Sequence, residues 1–392
     1  MKRLWSILSN YWIRVFAVAV LGIVVSSYLD ESEALLNLRY GVSEFIQGLN
    51  PRDTDAQRAT LVLITDEEYW KGELHGRAPI RRDYLARLVD AAAEARAAVI
   101  ALDFDFRSTS DGLPEPPEFQ GETQQLRNSI YNASSQGTRI VLTRTLGQAA
   151  DGNYIAEPDI YGEDVLSWPN VYYGYHVLPD DVRSLPLVLP SSNAGELDSF
   201  ALAIARADRA PSLKRIKEHD DYYSGFLQPA KFPTMTADEL LKKTRRDELS
   251  NRAILVSGVW HQDGYNRGAT VRAWDSPVGA IPGVFVHANY FEAIFDKRFY
   301  RLLDGWPVKG IELLLSFMVA IPFHRRFASR WRAILVILAP YALVALISYL
   351  LLIMLAWFFD PSIPLLAVAG HGIYERIHLW REKAKEADHL GD

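Results

Sequence analysis

Hydrophobic and polar positions are segregated along this chain first by region and only then by period. From residue 4 to 29 the one charge is Arg14, and the apolar centre runs from Val15 to Val25. That is long enough to cross a hydrocarbon core of about 30 Å. Lys2 and Arg3 precede the run and Asp30, Glu31 and Glu33 follow it, so the positive-inside rule places the N-terminus in the cytoplasm. A cleaved signal peptide is the rival reading, but no A-x-A site follows the apolar run. Near the other end, residues 333–359 carry no charge, with Pro340 positioned to kink the segment or mark its first turn. Residues 307–323 are apolar apart from Lys309 and Glu312, which are spaced to pair on one helix face. Residues 361–377 form a weaker run, with His371, Glu375 and Arg376 toward its end. The linker 324–332 carries Arg325, Arg326, Arg330 and Arg332 and no acid, and the tail carries Arg381, Lys383 and Lys385. Both are expected inside, which predicts four crossings, one before and three after an exported segment.

Between the apolar ends the period changes. Residues 35–49 have helical spacing that Asn50-Pro51 ends. Short β-branched apolar runs at 60–65, 97–106, 139–143 and 253–259 read as buried strands. Helical spacing falls at 82–96, 123–134, 197–207, 237–249 and 284–295, with Thr236 a candidate N-cap. Residues 172–178 and 184–189 are expected to pair antiparallel around Pro179-Asp180-Asp181. The Pro-rich acidic stretch 108–121 reads as a mobile loop. Strands alternating with helices signal a parallel sheet covered on both faces. The expected fold class is therefore an α/β extracytoplasmic domain with a mostly parallel central sheet flanked by helices, plus four transmembrane helices. The expected domains are 1–29 (N-terminal segment and helix), 30–305 (exported), 306–380 (three-helix bundle) and 381–392 (short tail).

Composition sharpens this division. Outside residues 30–305 there are 12 Lys/Arg and 7 Asp/Glu; subtracting from totals of 42 and 48 leaves 30 and 41 inside, a net of -11. Such a domain lacks the cationic face that phosphate neutralisation requires, so nucleic acid is not an expected partner. With no cysteine there is no disulfide framework and no thiolate chemistry. Neither a phosphate-cradling Gly-x-x-x-x-Gly-Lys nor a Gly-x-Ser-x-Gly elbow occurs. Trp5, Trp12, Trp306, Trp331, Trp357 and Trp380 lie near expected membrane boundaries, where an indole with an apolar body and a polar N–H anchors well.

Ligands of parallel α/β sheets bind beyond the carboxyl ends of the strands. Asp66, Asp103, Asp105 and Asp263 are expected there, with Arg107 and His261. One reading is a small-ligand or cation pocket, since hard cations favour carboxylate oxygens. The other is local structural use, in which Asp103 satisfies loop N–H groups and Asp105 pairs with Arg107 or Arg77. His261-x-Asp263 and His287 could serve as metal ligands or a general base, but no helical H-E-x-x-H accompanies them. The alternative for His287 is a helix histidine packed under a loop. Asp180, Asp181 and Arg183 read as a solvated turn with local ion pairing.

The order of several motifs resembles a known family. Trp70 precedes Arg77-Ala78-Pro79-Ile80-Arg81 and a helix; the strand Ala98-Val99-Ile100-Ala101-Leu102-Asp103-Phe104-Asp105-Phe106 follows. Then come Asp180-Asp181-Val182-Arg183, the strand at 253–258, Asp263, and Gly279-Ala280-Ile281-Pro282-Gly283-Val284-Phe285-Val286-His287-Ala288. Over roughly residues 35–300 this is similar to the second class of CHASE domains, extracellular sensory modules of bacterial cyclases, histidine kinases and serine/threonine kinases. The resemblance implies a sensor or receptor subunit in the bacterial inner membrane. It would be multi-pass and homo-oligomeric, with a periplasmic domain and cytoplasmic termini. An unknown extracytoplasmic ligand would meet the set Asp66, Arg77, Asp103, Asp105, Arg107, His261, Asp263 and His287. Two departures stand out. Only 12 residues follow Trp380, so the output is expected from a separate cytoplasmic effector such as a kinase or cyclase. Val182 occupies a position where the family often has glycine. The sequence names no cofactor. An envelope scaffold, or an extracytoplasmic hydrolase, are the alternative functions.

Overall fold

The structure is a computed structural model describing residues 11–29, 32–48, 55–107, 117–149, 152–217, 220–261, 271–303, 305–324, 330–359, 365, 367–374, 377 and 381. The chain divides into two compact units, Pro51–Phe299 and Met1–Asn50 with Tyr300–Asp392. In chain order its α-helices are α1 (Tyr11–Leu29), α2 (Glu33–Gly48), α3 (Arg82–Glu94), α4 (Pro117–Ser135), α5 (Phe200–Ala207), α6 (Ala237–Leu241), α7 (Gly283–Asp296), α8 (Trp306–His324) and α9 (Arg330–Leu355).

The Pro51–Phe299 unit is built on a six-stranded sheet of β1 (Ala59–Ile64), β2 (Val99–Asp103), β3 (Arg139–Arg144), β4 (Val171–Tyr175), β5 (Thr234–Thr236) and β6 (Ala253–Gly258). The spatial order is β5-β1-β6-β2-β3-β4, and every neighbouring pair is parallel. Successive side chains of a strand point to opposite faces, so a sheet covered on both sides needs continuous apolar runs. Val62, Ile64, Ile100, Leu102, Ile140, Leu142, Ile254 and Val256 bury on one face against α3, α4 and α6. The other face is covered by α5 and α7. The last strand in sequence, β6, lies between β1 and β2, in register Leu61↔Leu255↔Ala101. This insertion brings the ends of β1, β2 and β6 together.

Several sequence expectations are corrected. Residues 172–178 do not form a hairpin with 184–189: β4 pairs parallel with β3, while Ser184–Pro186 pairs antiparallel with Asp221–Ser224. β4 closes one edge of the main sheet, where Gly174 and Tyr175 are buried beside α5, so its partner is set by that packing and not by the nearby turn. The helix expected over 197–207 begins at Phe200, because Ser199 caps it by accepting from the Leu202 N–H at 3.2 Å. Gly195–Asp198 before it is a strand paired with Val188–Ser191. The helix expected over 237–249 starts as foreseen, with a reciprocal capping box between Thr236 and Glu239. It stops at Leu241, since Lys242 through Asp247 offer no apolar face to bury, and Lys243 and Arg245 turn left-handed at φ 62° and 58°. Helix α4 starts at Pro117, so only 108–116 of the expected loop remains, and that part lies outside the described residues.

One close approach fixes the far edge of the sheet. A Cβ on Gly174 in β4 would lie 2.6 Å from the Phe200 Cα and 2.9 Å from its N, both backbone atoms that cannot swing aside. Gly174→Ala should therefore destabilise the unit by about 1–3 kcal/mol through overpacking. A thermal melt of the full chain unchanged by the substitution would show that β4 and α5 can part freely.

In the other unit, α1 packs on α8: Val15 and Ala19 bury with Leu315, Val319 and Ala320, and the Tyr11 hydroxyl donates to the Ala320 carbonyl at 2.8 Å. Lys309 and Glu312 lie 3.8 Å apart on α8, at the foreseen spacing. The Ser43 and Tyr300 hydroxyls share a 2.6 Å hydrogen bond. The apolar run 333–359 is not one helix: α9 ends at Leu355, Ala356 has φ 56°, and Trp357–Phe358 pairs parallel with Arg301–Leu302. By length and composition, one helix among the described residues can cross a membrane, the window Tyr11–Tyr28; Ala342–Leu355 is a shorter apolar helix. Arg325 and Arg326, and the turn at 360–364, lie outside the described residues.

Candidate functional site

The carboxyl edge of the parallel sheet collects most of the expected residues. Asp66 follows β1, and His261 follows β6. The Asp66 carboxylate accepts from the His261 backbone N–H at 2.6 Å and meets its ring Nδ1 at 2.8 Å. Burial opposes ionisation, but the His261 hydrogen bonds and charge outweigh it and hold Asp66 below its usual value. Both side chains are solvent-accessible. Aromatic rings brace this corner. Tyr69 stacks on Trp260 with centroids 4.0 Å apart, and the Trp70 indole N–H donates to the His261 carbonyl at 2.9 Å. A Cβ on Gly258 would lie 1.9 Å from the Trp260 ring, so only glycine lets that indole fold back over the strand end.

One strand further, Asp103 ends β2 and accepts from the Ser257 hydroxyl of β6 at 3.1 Å. Burial raises the Asp103 carboxyl, with His176 and Ser257 opposing. His176 follows β4; burial lowers it, and Asp103 and Asp105 pull the other way. His287 lies on α7 at 2% exposure, its ring edge-on to Phe200 with centroids 5.3 Å apart. Burial lowers it to about 4, partly offset by a hydrogen bond to the His176 backbone. Its packing is that of a buried helix histidine, against Phe200 and the backbone of His176 in the loop after β4. The Nδ1 atoms of His176 and His287 are buried with no hydrogen-bond partner among the described residues. His176 and Ser257 were missed in the sequence. The strand expected over 172–178 swallowed His176, and Ser257 sits inside an apolar run with no local signal.

Asp105 is used locally. It accepts from the Arg107 backbone N–H at 3.1 Å, the Arg107 Nε at 2.8 Å and the Thr145 hydroxyl at 2.8 Å. Burial opposes ionisation, and these bonds outweigh it. Arg107 also reaches Glu157 at 3.5 Å. Arg77 does not join the cluster. It forms a two-pronged pair with Glu122 of α4 at 2.7 Å for each prong, while Glu122 also accepts from the Arg82 N–H at 3.0 Å. Arg77 therefore ties the starts of α3 and α4 together, with Phe119 under its guanidinium at 4.7 Å. Asp181 and Arg183 pair within their own turn at 2.8 Å, and Asp180 reaches Arg272 at 2.9 Å. Asp263 lies outside the described residues. Among the described residues no three His, Asp or Glu side chains converge on a metal position.

The edge thus holds groups that can exchange charge and hydrogen bonds with a solute, on a scaffold closed by aromatic packing. A family model for the CHASE2 domain matches residues 15–322, most of the chain. The chain belongs to the CHASE2 domain family. CHASE2 domains are extracellular sensory modules, typically non-catalytic, which gives this chain a sensor role. The apolar helix at Tyr11–Tyr28, together with a CHASE2 domain, points to membrane anchoring. No curated protein and no solved structure matches the chain.

Proposed function

We propose that this CHASE2 protein is a receptor of the bacterial plasma membrane that binds a small ligand outside the cell and relays a conformational or oligomeric change to a cytoplasmic effector such as a kinase or cyclase. The observation that carries the reading is the family match, which begins inside α1 and ends inside α8. In this reading residues 30–305 are periplasmic. Residues 306–380 contribute three further crossings, the four-arginine linker and the tail are cytoplasmic, and the receptor works as a homo-oligomer. The apolar character of α8 and α9 and the charge bias of the linker support four crossings. The ligand is received at the carboxyl edge of the sheet, where Asp66 and His261 are exposed and Asp103, with Ser257 behind it, lies one strand further in. Ligand can shift the receptor only by preferring one arrangement over the other.

The receptor reading predicts that one member of a metabolite panel stabilises the full chain by roughly 2.7 kcal/mol at a hundredfold excess over its dissociation constant. Asp66→Asn should weaken that stabilisation, because it removes the charge at the exposed rim. A reporter enzyme fused between Arg326 and Arg330 should be active only on the cytoplasmic side. Periplasmic activity there would discard the orientation.

A further inference from the structure

A second polar cluster sits over the carboxyl ends of β3 and β4, toward the other edge of the sheet from the Asp66–His261 corner. Arg144 ends β3 and Tyr173 lies in β4. The register Leu142↔Tyr173 and Arg144↔Tyr175 puts Arg144 and Tyr173 side by side on the face that α3 and α4 cover. The Arg144 guanidinium lies 5.7 Å from the Tyr173 ring centroid. The segment 159–167 crosses above this pair. Near its start the Ile160 N–H donates to the Phe106 carbonyl at 2.9 Å, just past β2, and at its end Glu163–Ser167 packs on β4. Tyr161, between these two anchors, is fully buried with its ring edge-on to Phe106 at 5.0 Å.

Three polar atoms here are buried with no hydrogen-bond partner among the described residues: the Tyr161 hydroxyl, the Tyr173 hydroxyl and the Arg144 Nε. Buried phenols ordinarily find a partner. Burial pushes the ionisation of both up, so both hydroxyls stay neutral and can donate. The groups share one electrostatic space: Tyr173 and Asp159 act on Tyr161, and Asp159 and Arg144 act on Tyr173. Among the described residues Arg144 makes no ion pair, whereas its neighbour Arg127 pairs with Asp164 at 2.7 Å. Arg82, which also acts on Tyr161, donates to the Thr123 hydroxyl and is set against Glu122. Asp159 is turned to its own loop, accepting from the Tyr161 N–H at 2.9 Å, and burial raises its carboxyl against that bond and the charge of Arg144. A water could satisfy the phenols, but it brings no charge to set against Arg144. A monoanion with two acceptor oxygens does both, while a dianion would crowd negative charge beside Asp159.

We propose that this cluster binds the carboxylate group of a small solute, whose oxygens accept from Arg144 and from the hydroxyls of Tyr161 and Tyr173. The guanidinium supplies the charge and the two phenols fix where the carboxylate sits. Arg144 and Tyr173 are only half-buried, which leaves the solute a way in, and Tyr161 closes the inner end. The site lies apart from the Asp66–His261 corner and goes beyond the receptor reading without depending on it.

The test is calorimetric titration of the full chain in lipid nanodiscs with sodium propionate as probe, and with propionamide and inorganic phosphate as comparisons. Propionate is expected to bind once per chain, propionamide to give no heat, and phosphate to bind more weakly than propionate. Arg144→Met should weaken propionate binding at least tenfold, and Tyr161→Phe and Tyr173→Phe each several-fold. Arg245→Met, which removes an exposed cation paired with Glu248 outside the cluster, should leave binding unchanged. The two phenol variants lose no hydrogen bond made among the described residues, so without propionate neither should melt below the parent. A hydroxyl that served the fold would lower the melting temperature when removed. The proposal is overturned if propionate gives no heat at millimolar concentration, if propionamide binds equally, if phosphate binds more tightly, or if both phenol variants bind propionate as the parent does. The titration reads occupancy, so its failure removes this site and leaves the receptor reading to its own tests.

Discussion

Acidification from pH 6.5 to pH 4 should remove about 3 kcal/mol of stability from the sheet-bearing unit through His287 alone. The sign follows from burial. His287 is lowered from 6.5 to about 4 because its ring is buried, edge-on to Phe200 of α5. Above pH 6.5 the imidazole is neutral in both the folded and unfolded states, and the full stability is present. As pH falls, the unfolded chain takes up the proton first, so stability drains until the folded ring also titrates near 4. Burial lowers His176 as well, and it adds to the loss. Asp103 works the other way: its raised carboxyl takes a proton in the folded state before the unfolded one, which returns some stability as pH falls toward 3.8. The histidine contribution is isolated by comparing the pH dependence of sheet amide hydrogen exchange in the full chain with that of His287→Leu. The variant's curve should be flatter between pH 6.5 and 4. Parallel curves for the two proteins would mean that His287 is not held neutral by its surroundings.

Replacing Glu292 with leucine should cost about 3 kcal/mol, from leaving two strand-start N–H groups without an acceptor. Glu292 sits on α7 at 2% exposure and accepts from the backbone N–H groups of Arg58 at 2.8 Å and Ala59 at 2.6 Å. These donors open β1, and no neighbouring strand takes them. Burial raises the Glu292 carboxyl, and the backbone bonds oppose that rise. Glu292→Gln keeps an acceptor oxygen of nearly the same size and should lose within about 1 kcal/mol. Denaturant midpoints of the two variants decide the matter: equal losses would assign the role of Glu292 to packing and not to its acceptor. Helix α7 is thereby clamped to the start of β1, so the Glu292 carboxylate fixes this helix on the sheet face it covers.

Much of this architecture was legible from sequence, and the reasons are local. A strand buried on both faces must be apolar throughout, so 60–65, 97–106, 139–143 and 253–259 announced β1, β2, β3 and β6 to within a few residues. Thr236 declared the start of α6, since an N-cap is a short-range device, and the structure adds Glu239 as its reciprocal partner. Its end was misread because Leu249 continues the apolar spacing after seven polar residues have already broken the helix. Asp66, Asp103 and Asp105 could be placed at the carboxyl edge because acids terminate apolar strands.

Pairing across the sheet was not legible. His261 meets Asp66 across 195 positions and Ser257 meets Asp103 across 154, and both contacts exist only because β6 inserts between β1 and β2. Arg77 looked equally suited to Asp105 and finds Glu122 instead, a carboxylate that α4 carries to the start of α3. His176 and His287 share an environment that no spacing encodes. The sequence alone settled where backbone and side chains leave water, because that depends on the period of apolar residues within one element. The tertiary structure alone decided which charges and hydroxyls meet, because strand order is chosen by burial of whole faces and leaves no trace in the spacing of the residues it brings together.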